Sequence, residues 1–202
     1  RVLFRSMISK LAKSIAHFFV VQNITEESKE VIYAYGMELL ISDVLNTIIV
    51  LLIALFSHTL PAVVVFIAVF MGLRQFVGGF HANSHLSCMF TLVMVMMVFS
   101  YGICNVSGHI TPIFSISFIM IALPIILCIA PVPHPNKPMS EEKSVKLRKR
   151  SCILAVTLSV VTIALLVFQY QKLSLYVSSG MLLSAIMALL GHFLNRGDNS
   201  KR

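Results

Sequence analysis

Between Arg74 and Cys88 the chain reads R-Q-F-V-G-G-F-H-A-N-S-H-L-S-C, an arginine, a Gly-Gly pair, two histidines and a cysteine within one short stretch. A thiol becomes a strong nucleophile when it ionises, and an imidazole is the neighbour best suited to taking its proton near neutral pH. His81 and Cys88 form one candidate pair, His85 and Cys88 another. On a straight helix the first pair would share a face but stand about 10.5 Å apart along the axis. That pair therefore needs a bend, and Gly78 and Gly79 give the backbone the freedom to make one just before His81. His85 and Cys88 are three residues apart and meet on an unbroken helix. Spacing alone does not choose between the two. The same residues also read H-x-x-x-H-x-x-C, three N and S donors along one helical face, as in an open catalytic zinc site. The glutamate of a zincin H-E-x-x-H is missing from it.

The elements that must position this chemistry are apolar. Of 202 residues 57% are hydrophobic and 12% charged, a balance that excludes an ordinary soluble domain and implies an integral membrane protein. The four cysteines, Cys88, Cys104, Cys128 and Cys152, are far apart in sequence and form no C-x-x-C pair, so neither a disulfide framework nor a structural zinc knuckle is indicated. Cys104, Cys128 and Cys152 sit in apolar runs and read as small buried hydrophobes. Apolar runs of roughly twenty residues per crossing lie at 37–56, 60–77, 89–106, 111–130, 152–169 and 173–193. The expected fold is an all-α polytopic membrane protein of about six transmembrane helices. The run at 60–77 is the weakest, because Arg74 shortens it, and a re-entrant hairpin over 60–88 is the alternative.

Residues 1–22 place Phe4, Ile8, Leu11, Ile15 and Phe18 at spacings of three and four, with Arg5, Lys10, Lys13 and His17 elsewhere around the wheel. This pattern predicts an amphipathic interfacial helix suited to an anionic leaflet, with packing on the protein's own surface as the competing reading. Asn23 followed by Glu26 predicts a second helix starting near Thr25. The domain plan is thus an interfacial helix over 1–22, a single transmembrane catalytic domain over 23–195 and a cytoplasmic tail over 196–202.

With six spans and both termini cytoplasmic, only Lys172 of the sixteen lysines and arginines falls outside, as the positive-inside tendency requires. The hairpin alternative would shift parity and expose the loop Lys137 to Arg150. The Arg74 to Cys88 stretch is accordingly expected at the cytoplasmic face. The loop holding Pro131, Pro133, Pro135 and Pro138 should be extended, and Ser140 with Glu141 and Glu142 should open a helix into the fifth span. Pro124 should kink the fourth. The basic run Lys146 to Arg150 reads as a topology signal, not a nucleic-acid site.

In the first span Glu38, Ser42 and Asn46 share a stripe, with Asp43 and Thr47 beside it, and charges at such depth call for a polar interior and a partner. Glu38 or Asp43 is expected to pair with Arg74. A transporter or channel using this stripe is a further reading of the chain, although no internal repeat supports it.

The pattern R-x-x-x-G-G-x-H-A-x-x-x-x-x-C, carried here by Arg74, Gly78, Gly79, His81, Ala82 and Cys88, resembles the signature of the AgrB family. These are multi-pass membrane cysteine endopeptidases that process quorum-sensing peptide precursors in Gram-positive bacteria. The resemblance extends to the length, the basic amphipathic N-terminus and the spans around the motif. It implies that His81, not His85, is the base and Cys88 the nucleophile, and Arg74, Gly78 and Gly79 are supporting or substrate-binding residues. It further implies no cofactor, an AgrD-like precursor with an amphipathic leader and an acidic C-terminal tail, cyclisation to a thiolactone or lactone, and a homodimer in the bacterial cell membrane.

Overall fold

A computed structural model describes residues 2–78, 85–132 and 141–199, with side chains described except at 2–7, 39, 43, 85–90, 92 and 194–199. Among the described residues seven α-helices follow in order: α1 (Val2–Val21), α2 (Glu30–Phe56), α3 (Leu60–Val77), α4 (His85–Tyr101), α5 (Thr111–Ile129), α6 (Glu141–Val167) and α7 (Gln171–Asn199). Among the described residues α2, α3, α5, α6 and α7 are long and apolar enough to cross a membrane, and Val93–Asn105 is an apolar stretch in and after α4. The all-α polytopic fold read from composition is therefore the fold observed. The run at 60–77, shortened by Arg74, is a helix that runs unbroken for 18 residues, about 27 Å, so the chain does not turn back within α3.

The chain forms two compact units, residues 1–53 with 82–96, and residues 54–81 with 97–202. In the first, α1 buries Ile8, Ala12 and Ala16 while Leu11 and Phe18 stay exposed. The helix thus packs on the protein through Ile8 and two alanines and keeps Leu11 and Phe18 outward. His17 Nδ1 lies 3.4 Å from Glu30 Oε1, and the Phe19 and Tyr33 rings meet edge-on at 6.2 Å, which folds α1 back on the start of α2.

The second helical element starts within two residues of the expected Thr25, as a 3-10 turn at Glu27–Lys29 that runs directly into α2, but Asn23 does not open it. Asn23 has φ 54°, its N–H donates to Val20 O and that of Ile24 donates to Phe19 O, so it is the left-handed residue of a Schellman ending for α1. Asparagine suits both a helix start and a left-handed stop. Glu26, the residue before the 3-10 turn, pairs with Lys29 at 3.1 Å, and α2 continues from Glu30. Along α2, Ser42, Asn46, Val50 and Ala54 are buried while Leu40, Val44, Ile48 and Leu52 are exposed. One polar-to-small stripe faces protein and the opposite apolar stripe suits lipid.

The second unit is organised on α7, which packs against α3, α5 and α6. Lipid tails are as apolar as leucine, so helices in a membrane associate through close packing and hydrogen bonds. Accordingly α7 presents buried Ser174, Ser178, Ser179, Ser184, Ala185 and Ala188. A Cβ on Gly180 would come within 2.9 Å of Phe66 O and 3.0 Å of Val69 Cβ, so the backbones of α3 and α7 nearly touch there. Ser184 Oγ donates to Phe70 O at 3.4 Å, and Ser115 and Ser174 hydroxyls pair at 3.1 Å between α5 and α7. Pro124 lies inside α5 without ending it. The cysteines expected to be buried are not: Cys104 and Cys152 are half-buried and Cys128 is exposed, an exposure that lipid tolerates in a small apolar side chain.

Candidate active site

The residue that stops α3 is Gly78, with φ 74° and ψ −150°, a region essentially closed to residues carrying a Cβ. Its N–H still donates to Arg74 O at 3.0 Å and closes the last turn. The next described helix opens at His85, so Leu73 to Cys88 is not one helix. The axial separation that a straight helix would impose on His81 and Cys88 therefore does not apply. Residues 79–84, Gly79 and His81 among them, lie outside the described residues. His85 and Cys88 both fall in the first turn of α4, with side chains outside the described set.

Arg74 sits one turn before this stop, half-buried, with its guanidinium 5.5 Å from the centroid of the Phe70 ring, a cation–π distance. Glu38 is half-buried on the α2 stripe, and the side chain of Asp43 lies outside the described set. Among the described residues no three His, Cys, Asp or Glu side chains are placed to hold a metal ion; the triple His81, His85 and Cys88 falls outside that search.

Sequence reading missed a contact at this corner. Val132, in the proline-rich segment after α5, donates its N–H to Val77 O at 2.9 Å and bridges to Gly78 in parallel. Val77 and Val132 belong to the buried cluster that also holds Leu73, Ile126, Ala130 and Met181. The available signal was a single apolar residue bracketed by prolines, which keep its backbone extended.

Helix direction sorts the charges of this unit. The C-terminal ends of α3 and α5 meet where Gly78 bridges to Val132, and α6 starts again at Glu141 shortly after. Arg74 and the exposed Lys143, Lys146, Arg148, Lys149 and Arg150 therefore lie toward one end. Lys172 stands at the other, donating to the carbonyls of Cys104 and Val106. The 27 residues of α6 make about 40 Å of helix, more than a bilayer core of about 30 Å. Its basic turns are exposed up to Arg150, and burial begins at Ser151.

A family profile described as AgrB, accessory gene regulator B, matches residues 6–188. An AgrB-like protein of Clostridium beijerinckii is 25% identical over 145 residues, covering 70% of this chain and 71% of the relative. No solved structure matches. Because the profile covers residues 6–188, from α1 through the polar α2 stripe and the Gly78 stop into α7, the chain belongs to the AgrB family of membrane proteins, accessory gene regulators of quorum sensing.

Proposed function

We propose that this AgrB-family protein is a membrane cysteine endopeptidase in which His81 deprotonates Cys88 and the thiolate cleaves an AgrD-like precursor. The observation that carries the reading is the stop of α3 at Gly78, whose φ of 74° and ψ of −150° end the helix before His81. A stop at Gly78 frees His81 and Cys88 from the axial separation that one straight helix would impose on them, and a helix beginning near Cys88 would favour its thiolate through the dipole. In the proposed reaction the Cys88 thiolate adds to the scissile carbonyl. The tetrahedral intermediate collapses to a thioester as the C-terminal part departs, its amine taking the proton held by His81. A cysteine or serine of the retained peptide then attacks the thioester, gives its proton to His81 and forms a thiolactone or lactone, which regenerates Cys88. Backbone N–H groups near Gly78 to His81, or the Arg74 guanidinium, are the candidate donors to the oxyanion.

The same reading places both termini and the site on the cytoplasmic side, pairs Arg74 with Glu38 or Asp43, and lets the basic turns of α6 receive the acidic tail of the precursor. Co-expression with the precursor, followed by mass spectrometry of the peptide, tests it. Cys88→Ala and His81→Ala should each lower processing by on the order of 10⁴-fold, while His85→Ala retains most of it. Dead His85→Ala beside active His81→Ala would overturn the assignment of the base.

A further inference from the structure

The carbonyls of a helix's last turn have no partner within the helix and must find one elsewhere. For Val77 that partner is the Val132 N–H at 2.9 Å, supplied by a segment distant in sequence. One residue on, the chain must take the glycine-only conformation of Gly78, and a Cβ there would lie 2.5 Å from the Val132 carbonyl oxygen. Val77 and Val132 are 0% and 5% exposed, so solvent cannot readily replace the lost bond. Two backbone constraints from one residue thus fix the direction in which the chain leaves α3, three residues before His81.

We infer that Ala130 to Val132 is a positioning element for the candidate base, acting through its backbone tie to Val77 and Gly78. The role assigned to Val132 is not contact with a reacting atom; it is to set where the segment toward His81 begins. The inference rests on the reading that His81 serves Cys88, and it adds a requirement which that reading does not contain. The side chain of Val132 contributes packing, whereas the positioning comes from its N–H and C=O. A substitution that removes the N–H should therefore differ from one that trims the side chain.

The test uses the full-length protein in liposomes, with wild type, Val132→Pro, Gly78→Ala, the conservative Val132→Ala and the reference His81→Ala. Two readouts are taken: kcat and KM for precursor processing, and the pH profile of Cys88 alkylation by iodoacetamide, followed on the Cys88 peptide by mass spectrometry. Val132→Pro and Gly78→Ala should each lose about 10²-fold in kcat, the scale of a misplaced general base, with KM changed less than about two-fold. Their alkylation profiles should move toward that of His81→Ala. Val132→Ala, which keeps both backbone groups, should stay within about five-fold of wild-type kcat and keep its profile.

Wild-type kcat and profile in Val132→Pro would overturn the inference, as would equal losses in Val132→Pro and Val132→Ala. Faster alkylation of Cys104 and Cys152 in Val132→Pro and Gly78→Ala would show general loosening of the fold and overturn it too. If His81→Ala itself processes precursor normally, the peptidase reading falls on that arm alone. If His81→Ala is dead while Val132→Pro is normal, only the positioning role falls.

Discussion

The two ends of the second unit are built differently. At the Lys172 end, side chains hold backbone: Lys172 donates to the carbonyls of Cys104 and Val106, Asn105 Nδ2 donates to Tyr101 O at 3.0 Å, and the Thr59 hydroxyl pairs with those of Ser57 and Ser100. At the Gly78 end, backbone holds backbone through Val77, Gly78 and Val132. Polar side chains at an exposed end can be exchanged for water or for one another. A buried backbone tie at a glycine-only conformation has no such substitute. The end with the buried backbone tie is the one from which the chain enters the reactive motif, and a site of fixed geometry calls for such a tie.

Gly78→Ala should show the largest effect on stability. Strain at φ 74° and the 2.5 Å approach to Val132 O together should cost about 3 kcal/mol or more, measured by thermal unfolding in detergent against wild type. A loss below about 1 kcal/mol would mean that the corner relaxes freely and that the contrast between the ends is false.

Lys172→Met should cost less, about 1 kcal/mol, because its bonds to two carbonyls are charge-assisted but solvent-exposed. The same unfolding measurement, with processing kcat unchanged, would sharpen the contrast. Reduced kcat at unchanged stability would break it, by showing that this end also shapes the site.

The smallest effect should have the opposite sign. Gln169 has φ 66°, and the N–H groups of Gln169 and Tyr170 donate to Leu166 O and Leu165 O, which makes it a left-handed stop for α6 filled by a residue with a Cβ. Gln169→Gly should stabilise by about 0.5 kcal/mol, since the bond it removes, from Gln171 Nε2 to Gln169 Oε1 at 3.4 Å, is long and exposed. Loss of stability in that variant would indicate that its side chain matters more than its backbone strain.

The helices were legible because each crossing is one long apolar run, and the Gly-Gly pair marked where α3 stops. The α2 stripe was legible for the same reason, since Ser42 and Asn46 recur every four residues in an otherwise apolar run. Asn23 misled because its side chain and its tolerance of positive φ serve opposite ends of a helix. The run at 60–77 looked weak because Arg74 interrupts it, yet that arginine sits in the last turn of α3 beside Phe70, where its charge suits the negative end of the dipole. The tie between Gly78 and Val132 was not legible at all. It is a backbone contact between segments far apart in sequence, and the sequence carries no local pattern for such contacts. The identity of the chemical residues came from their types and the resemblance of their pattern, not from periodicity.

The most direct measurement is to capture the acyl-enzyme. Wild type in liposomes is mixed with precursor lacking the cyclising cysteine or serine, quenched in acid, digested, and the Cys88 peptide is weighed. The account predicts that the Cys88 peptide gains the mass of the retained segment as a hydroxylamine-sensitive thioester, that His85→Ala still forms it, and that His81→Ala does not. Precursor cleaved at the wild-type rate by Cys88→Ala, or an adduct at Cys88 that forms without His81, would contradict it.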